Sequence, residues 1–197
     1  MLKVGVTGGI GSGKSIVCKV FNHLGIPHYS SDAEARNIVN QSRWGGMKQA
    51  IQNAFGTQAY DQEGNFDRKK MAELVFNDKT KLEILNAIVH PAVQQHFKLW
   101  LLHHQEQKYI LKEAAILFES GSYKELDFII TVFAPAELRI KRVMTRDALT
   151  LEAVKRVMKN QMSEEEKIKR SHYVIVNDEE ELIIPQVLKI HNELLQK

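Results

Sequence analysis

A glycine-rich segment near the start of the chain, residues 8–15, has the residue types and the spacing that bind phosphate. It fits the pattern G-x-x-x-x-G-K-S, in which glycines let successive backbone N–H groups converge on an anion. The helix that follows such a loop directs the positive end of its dipole to the same place. Lys14 would reach the β- and γ-phosphates, and the Ser15 hydroxyl would ligate Mg²⁺. The segment therefore predicts a site for a nucleoside triphosphate and Mg²⁺.

The residues on either side of this loop predict the elements that must hold it. Residues 2–7 form a short apolar run typical of a buried strand, and residues 15–21 begin an amphipathic helix that ends near Gly25. A glycine-rich turn that arose by chance is the alternative interpretation. The order strand, loop, helix favours the phosphate-binding loop, because this is the context in which that loop operates.

Asp32 is a candidate general base. It lies two residues after the end of the second predicted strand, residues 27–30. Ligands of open α/β sheets collect at the carboxyl ends of strands. A carboxylate there could accept the proton of an acceptor hydroxyl as that hydroxyl attacks the γ-phosphoryl group. The position alone equally allows Asp32 to be only the cap of a helix that begins at Ala33.

Three arginines, Arg139, Arg142 and Arg146, lie three and four residues apart, which places them on one face of a predicted helix. Guanidinium groups on a lid could stabilise the charge that spreads over a phosphoryl group during its transfer. A solvated helix face is the commoner fate of such a stripe, but the phosphate loop favours the lid.

Two acidic features are less specific. Glu113 follows the third predicted strand, where it is either an outer partner of Mg²⁺ or an ordinary strand-end carboxylate. Residues 61–64 match the D-x-x-G pattern of GTP switches, but their polar surroundings are typical of a turn. The guanine-reading motif N-K-x-D is absent from the sequence, which counts against a GTP switch.

The hydrophobic pattern predicts an alternation of strands and helices. We predict strands at residues 2–7, 27–30, 108–112, 128–132 and 173–176. We predict helices at about residues 14–24, 32–41, 43–55, 67–76, 79–89, 91–106, 136–147, 151–161, 164–170 and 180–196. Asp67 is expected to cap one helix and Pro91 to stand in the first turn of another. With the loop, this alternation predicts an α/β P-loop NTPase fold, a five-stranded parallel sheet flanked by helices.

The long interval between the second and third strands predicts an insertion. Residues 32–106 contain no convincing strand and form a helical segment suited to grip an acceptor. A short charged segment, residues 142–170, lies between the last two strands and is predicted to be a lid. Residues 1–31, 107–141 and 171–197 would form the core of a single P-loop kinase unit.

The composition of the 197-residue chain excludes several classes of protein. A formal net charge of +3 suits an anionic small molecule and is too weak to indicate nucleic acid. Cys18, the single cysteine, is expected to be a small buried hydrophobe. None of the eight histidines forms an H-x-x-x-H pair, so we expect no zinc site. Without a signal peptide or a membrane-spanning apolar run, we expect a cytoplasmic protein, a monomer or small homo-oligomer, with no membrane partner.

Further motifs stand in a fixed order along nearly the whole chain. They are residues 6–15, 24–27, 31–36, 66–70, 75–76, 88–91, 117–121, 142, 146–147, 160–162, 173–175 and 177. This series resembles the dephospho-coenzyme A kinase family. The loop, the Asp32 segment, the His90–Pro91 pair and the Phe118–Glu119 segment in this order are far more specific than the loop alone.

The resemblance implies ATP-dependent phosphorylation of the ribose 3′-hydroxyl of dephospho-coenzyme A, the last step of coenzyme A synthesis. It implies that Asp32 is the catalytic base, that the insertion binds the acceptor and that the arginine-bearing lid closes over ATP. The loop and the resemblance together assign catalysis to Asp32, Lys14 and Arg142; nucleotide binding to Gly9, Gly11, Ser12, Gly13, Lys14, Ser15, Ile16, Arg146 and Asn177; acceptor binding to Arg68, His90 and Glu119; and Mg²⁺ to Ser15.

Several positions depart from the family's pattern. The family usually has aspartate at the positions of Ser30 and His172, proline at Ala115, threonine at Ile16 and arginine at Val157. Asp32 would therefore carry the base role alone, and Ser15 would supply the sole magnesium hydroxyl. Since one step along a helix turns a side chain by about 100°, an arginine at 156 instead of 157 implies that one lid contact to ATP differs.

Two other functions are compatible with the loop by itself. One is a kinase for another small molecule, such as a nucleoside or a nucleoside monophosphate. The other, from a different class, is a nucleotide-dependent switch or binding protein. A panel of acceptors separates the kinases from one another, and slow hydrolysis without a phosphorylated product would indicate the switch.

Overall fold

A parallel β-sheet, built from short runs of β-branched and aromatic residues, organises the chain in the computed structural model, which describes residues 1–41, 44–76 and 78–197. Within these residues the strands are β1 (Leu2–Thr7), β2 (His28–Ser30), β3 (Tyr109–Glu113), β4 (Phe128–Phe133) and β5 (Tyr173–Val176). Their order across the sheet is β2-β3-β1-β4-β5, and every pairing is parallel. The predicted five-stranded parallel sheet is confirmed.

The helices of the described residues follow the predicted alternation with the strands. They are α1 (Lys14–His23), α2 (Ser31–Ile38), α3 (Gly45–Phe55), α4 (Arg68–Phe76), α5 (Lys79–Leu102), α6 (Ala136–Asp147), α7 (Leu151–Lys159), α8 (Glu164–Lys169) and α9 (Ile183–Leu195). Single 3₁₀ turns occupy Thr57–Ala59 and Ser122–Glu125. Among the described residues, every helix is too short or too polar to span a bilayer.

The prediction that a helix starts at Pro91 is wrong. Helix α5 runs unbroken from Lys79 to Leu102 with Pro91 inside it. An internal proline lacks the N–H that would bond to the carbonyl four residues earlier, at a cost of about 3 kcal/mol. Burial of Val89, Val93 and Phe97 on the same helix offsets that cost, because apolar packing contributes more than local propensity.

Two helix starts show how aspartates set local structure. Asp67 accepts a hydrogen bond from Lys70 N at 3.0 Å, which confirms it as the cap of α4. The last helix was predicted from residue 180 but begins at Ile183. Asp178 Oδ1 accepts from the backbone N–H groups of Glu180 and Glu181, at 3.0 and 2.9 Å, and this turn delays the helix.

The central strand β1 presents different residues to the two faces of the sheet. Val4 and Val6 are fully buried in a core with α1 and α9, which includes Phe21 and Val187. Gly5 faces the other way, where a methyl group would lie 2.7 Å from Leu117 and Leu126 side chains. Both faces of the strand that leads into the loop are therefore tightly packed.

Internal contacts divide the chain into two units. The first, the sheet unit, consists of Met1–Ser30 and His104–Lys197 and contains all five strands of the described residues and the glycine-rich loop. The second, the helical unit, consists of Ser31–His103, in which α5 packs against α2, α3 and α4.

Candidate active site

The glycine-rich loop joins the end of β1 to the start of α1 at the carboxyl edge of the sheet. Gly11 and Gly13 have φ of 79° and 94°, in the left-handed region that favours glycine. A methyl group at Gly13 would lie 2.0 Å from Asn177 Nδ2, so the close approach also requires glycine there. Helix α1 follows the loop directly, so the positive end of its dipole lies beside the loop.

Lys14 places its amine against this loop. Nζ donates to the carbonyl oxygens of Gly8 and Gly9, at 3.0 and 3.4 Å, and the residue is buried. A cation enclosed by loop backbone is stronger in its electrostatic effect than one in water, because the local dielectric is low. The geometry fits a lysine that neutralises phosphate charge.

Asn177 is fixed beside the loop by hydrogen bonds from both its side chain and its backbone. The buried Asn177 side chain donates from Nδ2 to Ser12 O at 2.8 Å, and Arg142 Nη1 donates to Asn177 O at 3.1 Å. Arg142 Nη2 also approaches Glu179 Oε1 at 3.2 Å. Two predicted site residues, Arg142 and Asn177, are thus brought together beside the loop.

Ser15 and Glu113 form a pair of hard oxygen donors. Ser15 Oγ donates to Glu113 Oε1 at 3.0 Å, and His28 Nε2 lies 3.1 Å from Glu113 Oε2. Burial disfavours the charged form of Glu113. The hydrogen bond from His28 and the charge of Lys14 outweigh burial, so the pKa of this carboxyl lies below its ordinary range.

This pair fits Mg²⁺, which prefers hydroxyl, carboxylate and water oxygens. Glu113 is ionised at neutral pH and is hydrogen-bonded to the hydroxyl that the loop motif assigns to the metal. Of the two roles left open for Glu113, this contact favours the outer partner of Mg²⁺.

The three arginines of α6 have different surroundings. Arg142 contacts Asn177 and Glu179, as described above. Arg139 is buried, its Nη1 lies 3.3 Å from Glu164 Oε1, and a methyl group at Gly9 would lie 1.7 Å from that nitrogen. The alternative of a solvated face is therefore wrong for Arg139. Arg146 is 64% exposed and donates to both carboxylate oxygens of Asp147, at 2.8 and 2.6 Å, because the next residue offers a bidentate partner.

Contacts from the segment predicted to be a lid reach the loop in a way the sequence did not indicate. Ile10 N donates to Gln161 Oε1 at 2.9 Å. Glu119 was predicted to bind the phosphoryl acceptor. Its Oε1 accepts a hydrogen bond from Met162 N at 2.7 Å and lies 3.7 Å from Nζ of the buried Lys167. Burial lowers the pKa of Lys167, and the charge of Glu119 opposes this shift.

In the helical unit, Asp32 and His90 interact. Burial lowers the pKa of His90, while the negative charge of Asp32 raises it, so the two side chains are within electrostatic reach. Asp32 is half-buried in the first turn of α2, which begins at Ser31. The helix therefore starts before Asp32, and not at Ala33 as the cap interpretation required.

The contacts of the remaining predicted residues are local to their own units. Arg68 Nη2 donates to Arg36 O at 3.1 Å within the helical unit. Ile16 is exposed on α1. Ser12 is buried, and its hydroxyl has no hydrogen-bond partner among the described residues.

A phosphate loop between the first strand and the first helix of a parallel sheet, with its lysine against the loop backbone, defines a P-loop kinase fold. The comparison with known sequences makes the assignment narrower. The chain belongs to the dephospho-CoA kinase family, whose sequence model matches residues 2–182.

Individual relatives agree with this assignment. Dephospho-CoA kinase from Bacteroides fragilis strain YCH46 is 37% identical over 196 residues, covering 100% of this chain and 94% of the relative. The crystal structure of TT1252 from Thermus thermophilus has 33% identity and a TM-score of 0.83, covering 98% of this chain and 96% of its own. Dephospho-CoA kinase from Campylobacter jejuni has 28% identity and a TM-score of 0.71, with coverage of 98% and 97%.

Proposed function

We propose that this chain transfers the γ-phosphoryl group of ATP to the ribose 3′-hydroxyl of dephospho-coenzyme A, giving coenzyme A and ADP. Membership of the dephospho-CoA kinase family over residues 2–182, with a formed phosphate loop inside that match, is the observation that carries this function. The family's role is the last step of coenzyme A synthesis.

On this proposal the loop binds the triphosphate. Its backbone N–H groups and the Lys14 amine hold the β- and γ-phosphates. Ser15, supported by Glu113, would hold Mg²⁺. The ion, when bound, neutralises charge on the phosphate oxygens.

Asp32 is proposed as the general base. It would accept the proton of the acceptor hydroxyl while that oxygen attacks phosphorus, and the leaving group is ADP. His90, which interacts with Asp32, would help to orient the acceptor. Arg68 and Glu119 remain proposed acceptor contacts.

Residues 142–170 are proposed to act as a lid and residues 32–106 to hold the acceptor. Arg142 and Arg146 would then stabilise charge on the transferring phosphoryl group, as guanidinium groups do in other phosphoryl transfers. Closure would exclude water, which would otherwise compete as an acceptor. The contact of Ile10 N with Gln161 supports a link between this segment and the loop.

The test is ADP release with Mg²⁺–ATP and dephospho-coenzyme A, followed by mass spectrometry of the acceptor. We expect one ADP for each singly phosphorylated dephospho-coenzyme A, and little activity with adenosine or nucleoside monophosphates run in parallel. A phosphorylated product from one of those acceptors instead would keep the kinase and reject the substrate. Slow ADP release with no phosphorylated acceptor would indicate a nucleotide-dependent switch.

A further inference from the structure

Three side chains with different donor atoms converge within the sheet unit. Cys18 comes from α1, His28 from β2 and Glu113 from β3, and their sulfur, nitrogen and oxygen donors all lie within 4.8 Å of one another. No local spacing motif links them, which is why the sequence led us to expect no zinc site. The fold assembles what the sequence pattern did not indicate.

The donor set is one that Zn²⁺ and related cations prefer. Thiolate, imidazole and carboxylate are zinc ligands, whereas Mg²⁺ selects oxygen. With usual bond lengths, neighbouring donors of a tetrahedral zinc site lie roughly 3.3 to 3.8 Å apart. His28 Nε2 and Glu113 Oε2 are 3.1 Å apart, and the Cys18 sulfur lies within 4.8 Å of the donor atoms of both residues, so metal binding requires a donor shift of at most about 1 Å.

We propose that Cys18, His28 and Glu113 form a binding site for a thiophilic divalent cation such as Zn²⁺, with the fourth position left to water. The Cys18 S–H bond breaks as the sulfur–metal bond forms, and the proton leaves to solvent. His28 has a side chain 22% exposed, which provides the entry route for the ion.

Burial keeps the Cys18 thiol protonated while no metal is bound. Cys18 is wholly buried, and burial raises the pKa of its thiol, so the sulfur is protonated at neutral pH without a metal. The same burial shields a bound thiolate from competing water. A cation on Glu113 Oε2 would withdraw negative charge from the carboxylate whose Oε1 accepts from the Ser15 hydroxyl. Thiophilic metal and Mg²⁺–nucleotide should therefore weaken each other; this coupling, unlike the site itself, rests on the proposed function.

The test is a titration of the full-length protein with Co²⁺, the spectroscopic substitute for Zn²⁺, in buffer with excess Mg²⁺ and no nucleotide. We expect one equivalent to give a thiolate-to-cobalt absorption band in the near ultraviolet and tetrahedral bands in the visible. Added Zn²⁺ should bleach both. Absence of a thiolate band in the wild-type protein would overturn the proposal.

Variants decide between a built site and surface binding. Cys18→Ala removes the thiolate band by construction, so His28→Gln, which keeps the thiol, is the sharper test. We expect it to bind Co²⁺ at least ~10-fold more weakly, the scale for disturbing a metal site. The control is His23→Gln, which changes an exposed histidine on α1, the helix that carries Cys18. This variant should bind Co²⁺ as tightly as wild type. Equal affinity in His28→Gln and wild type would reject the site.

The result is separable from the kinase reaction. The cobalt bands need neither ATP nor acceptor, so they are expected even if the acceptor is not dephospho-coenzyme A. If the wild-type protein shows Mg²⁺-dependent kinase activity but no cobalt bands, the metal site is rejected and the proposed function stands.

Discussion

At the scale of single residues, Asp32 can be tested directly as the base. Asp32→Asn should retain ATP binding and lose at least ~10²-fold in kcat, because a neutral amide cannot take the hydroxyl proton. The measurement is steady-state kinetics together with calorimetric titration of ATP. Asp67→Asn is the control, since asparagine can also cap α4, and it should leave both turnover and stability close to wild type. Near-normal turnover in Asp32→Asn would reject the base assignment.

Glu164 contacts two buried cations, of which Lys167 also lies 3.7 Å from Glu119. Arg139 Nη1 and Lys167 Nζ approach the same oxygen, Glu164 Oε1, at 3.3 and 3.9 Å. Glu164→Gln should therefore lower the free energy of unfolding by about 3 kcal/mol, the scale for a buried cation left uncompensated. Urea unfolding measures it.

Arg139→Met is the matched variant for this buried network. It leaves Glu164 beside Lys167 and fills the space with an apolar chain, so it should cost less than Glu164→Gln. An equal or larger loss in Arg139→Met would contradict the prediction that Glu164 mainly compensates the charge of Arg139.

At the scale of elements, the loop allows a controlled glycine experiment. Gly13 and Gly25 both have positive φ, 94° and 82°, but a methyl group would meet Asn177 Nδ2 at 2.0 Å only at Gly13, with nothing within 4 Å at Gly25. Alanine at Gly25 should cost the backbone strain alone, about 1 kcal/mol. Alanine at Gly13 should cost more and weaken ATP binding at least ~10-fold, as measured by thermal unfolding and calorimetry. Equal effects would show that the Asn177 contact yields readily.

Helix α5 contains a proline that the sequence predicted as a start. Pro91 is exposed, so Pro91→Ala removes little packing and restores one backbone hydrogen bond. We expect the free energy of unfolding to rise by about 1 to 3 kcal/mol in urea titrations, with Lys98→Ala on the same helix as a control. No gain would mean that the helix already adapts to the proline at negligible cost.

The elements themselves were largely predictable, and the reason is local. Strand β4 is apolar at every position except Thr131, and caps such as Asp67 act within three residues, so a short window contains the information. The contacts of the site are not local. His28 meets Glu113 across 85 positions and Ile10 meets Gln161 across 151, so no pattern in the sequence indicated either pair.

At the scale of the whole molecule, Glu113 links the site to acid stability. The pKa of this carboxyl is lower in the folded protein than its ordinary value of 4.5, so below that pH the unfolded chain binds more protons. The stability that Glu113 contributes is present above pH 4.5 and is lost as the pH falls through the folded pKa. Wild-type protein should therefore lose more unfolding free energy than Glu113→Gln between about pH 5.5 and about pH 3.5 in urea titrations. Parallel curves for the two proteins would show that Glu113 adds no such dependence.

The strand order sets a timetable for synthesis on the ribosome. Strand β1 is made before the helical unit, yet its partners β3 and β4 leave the ribosome only after that whole unit, and Asn177, which holds Ser12, comes later still. Pairings between residues so far apart in the chain form slowly, because a long loop must close first. The helical unit, contiguous in sequence, has no such delay. The phosphate-binding loop is thus translated before the helical unit and completed only after it.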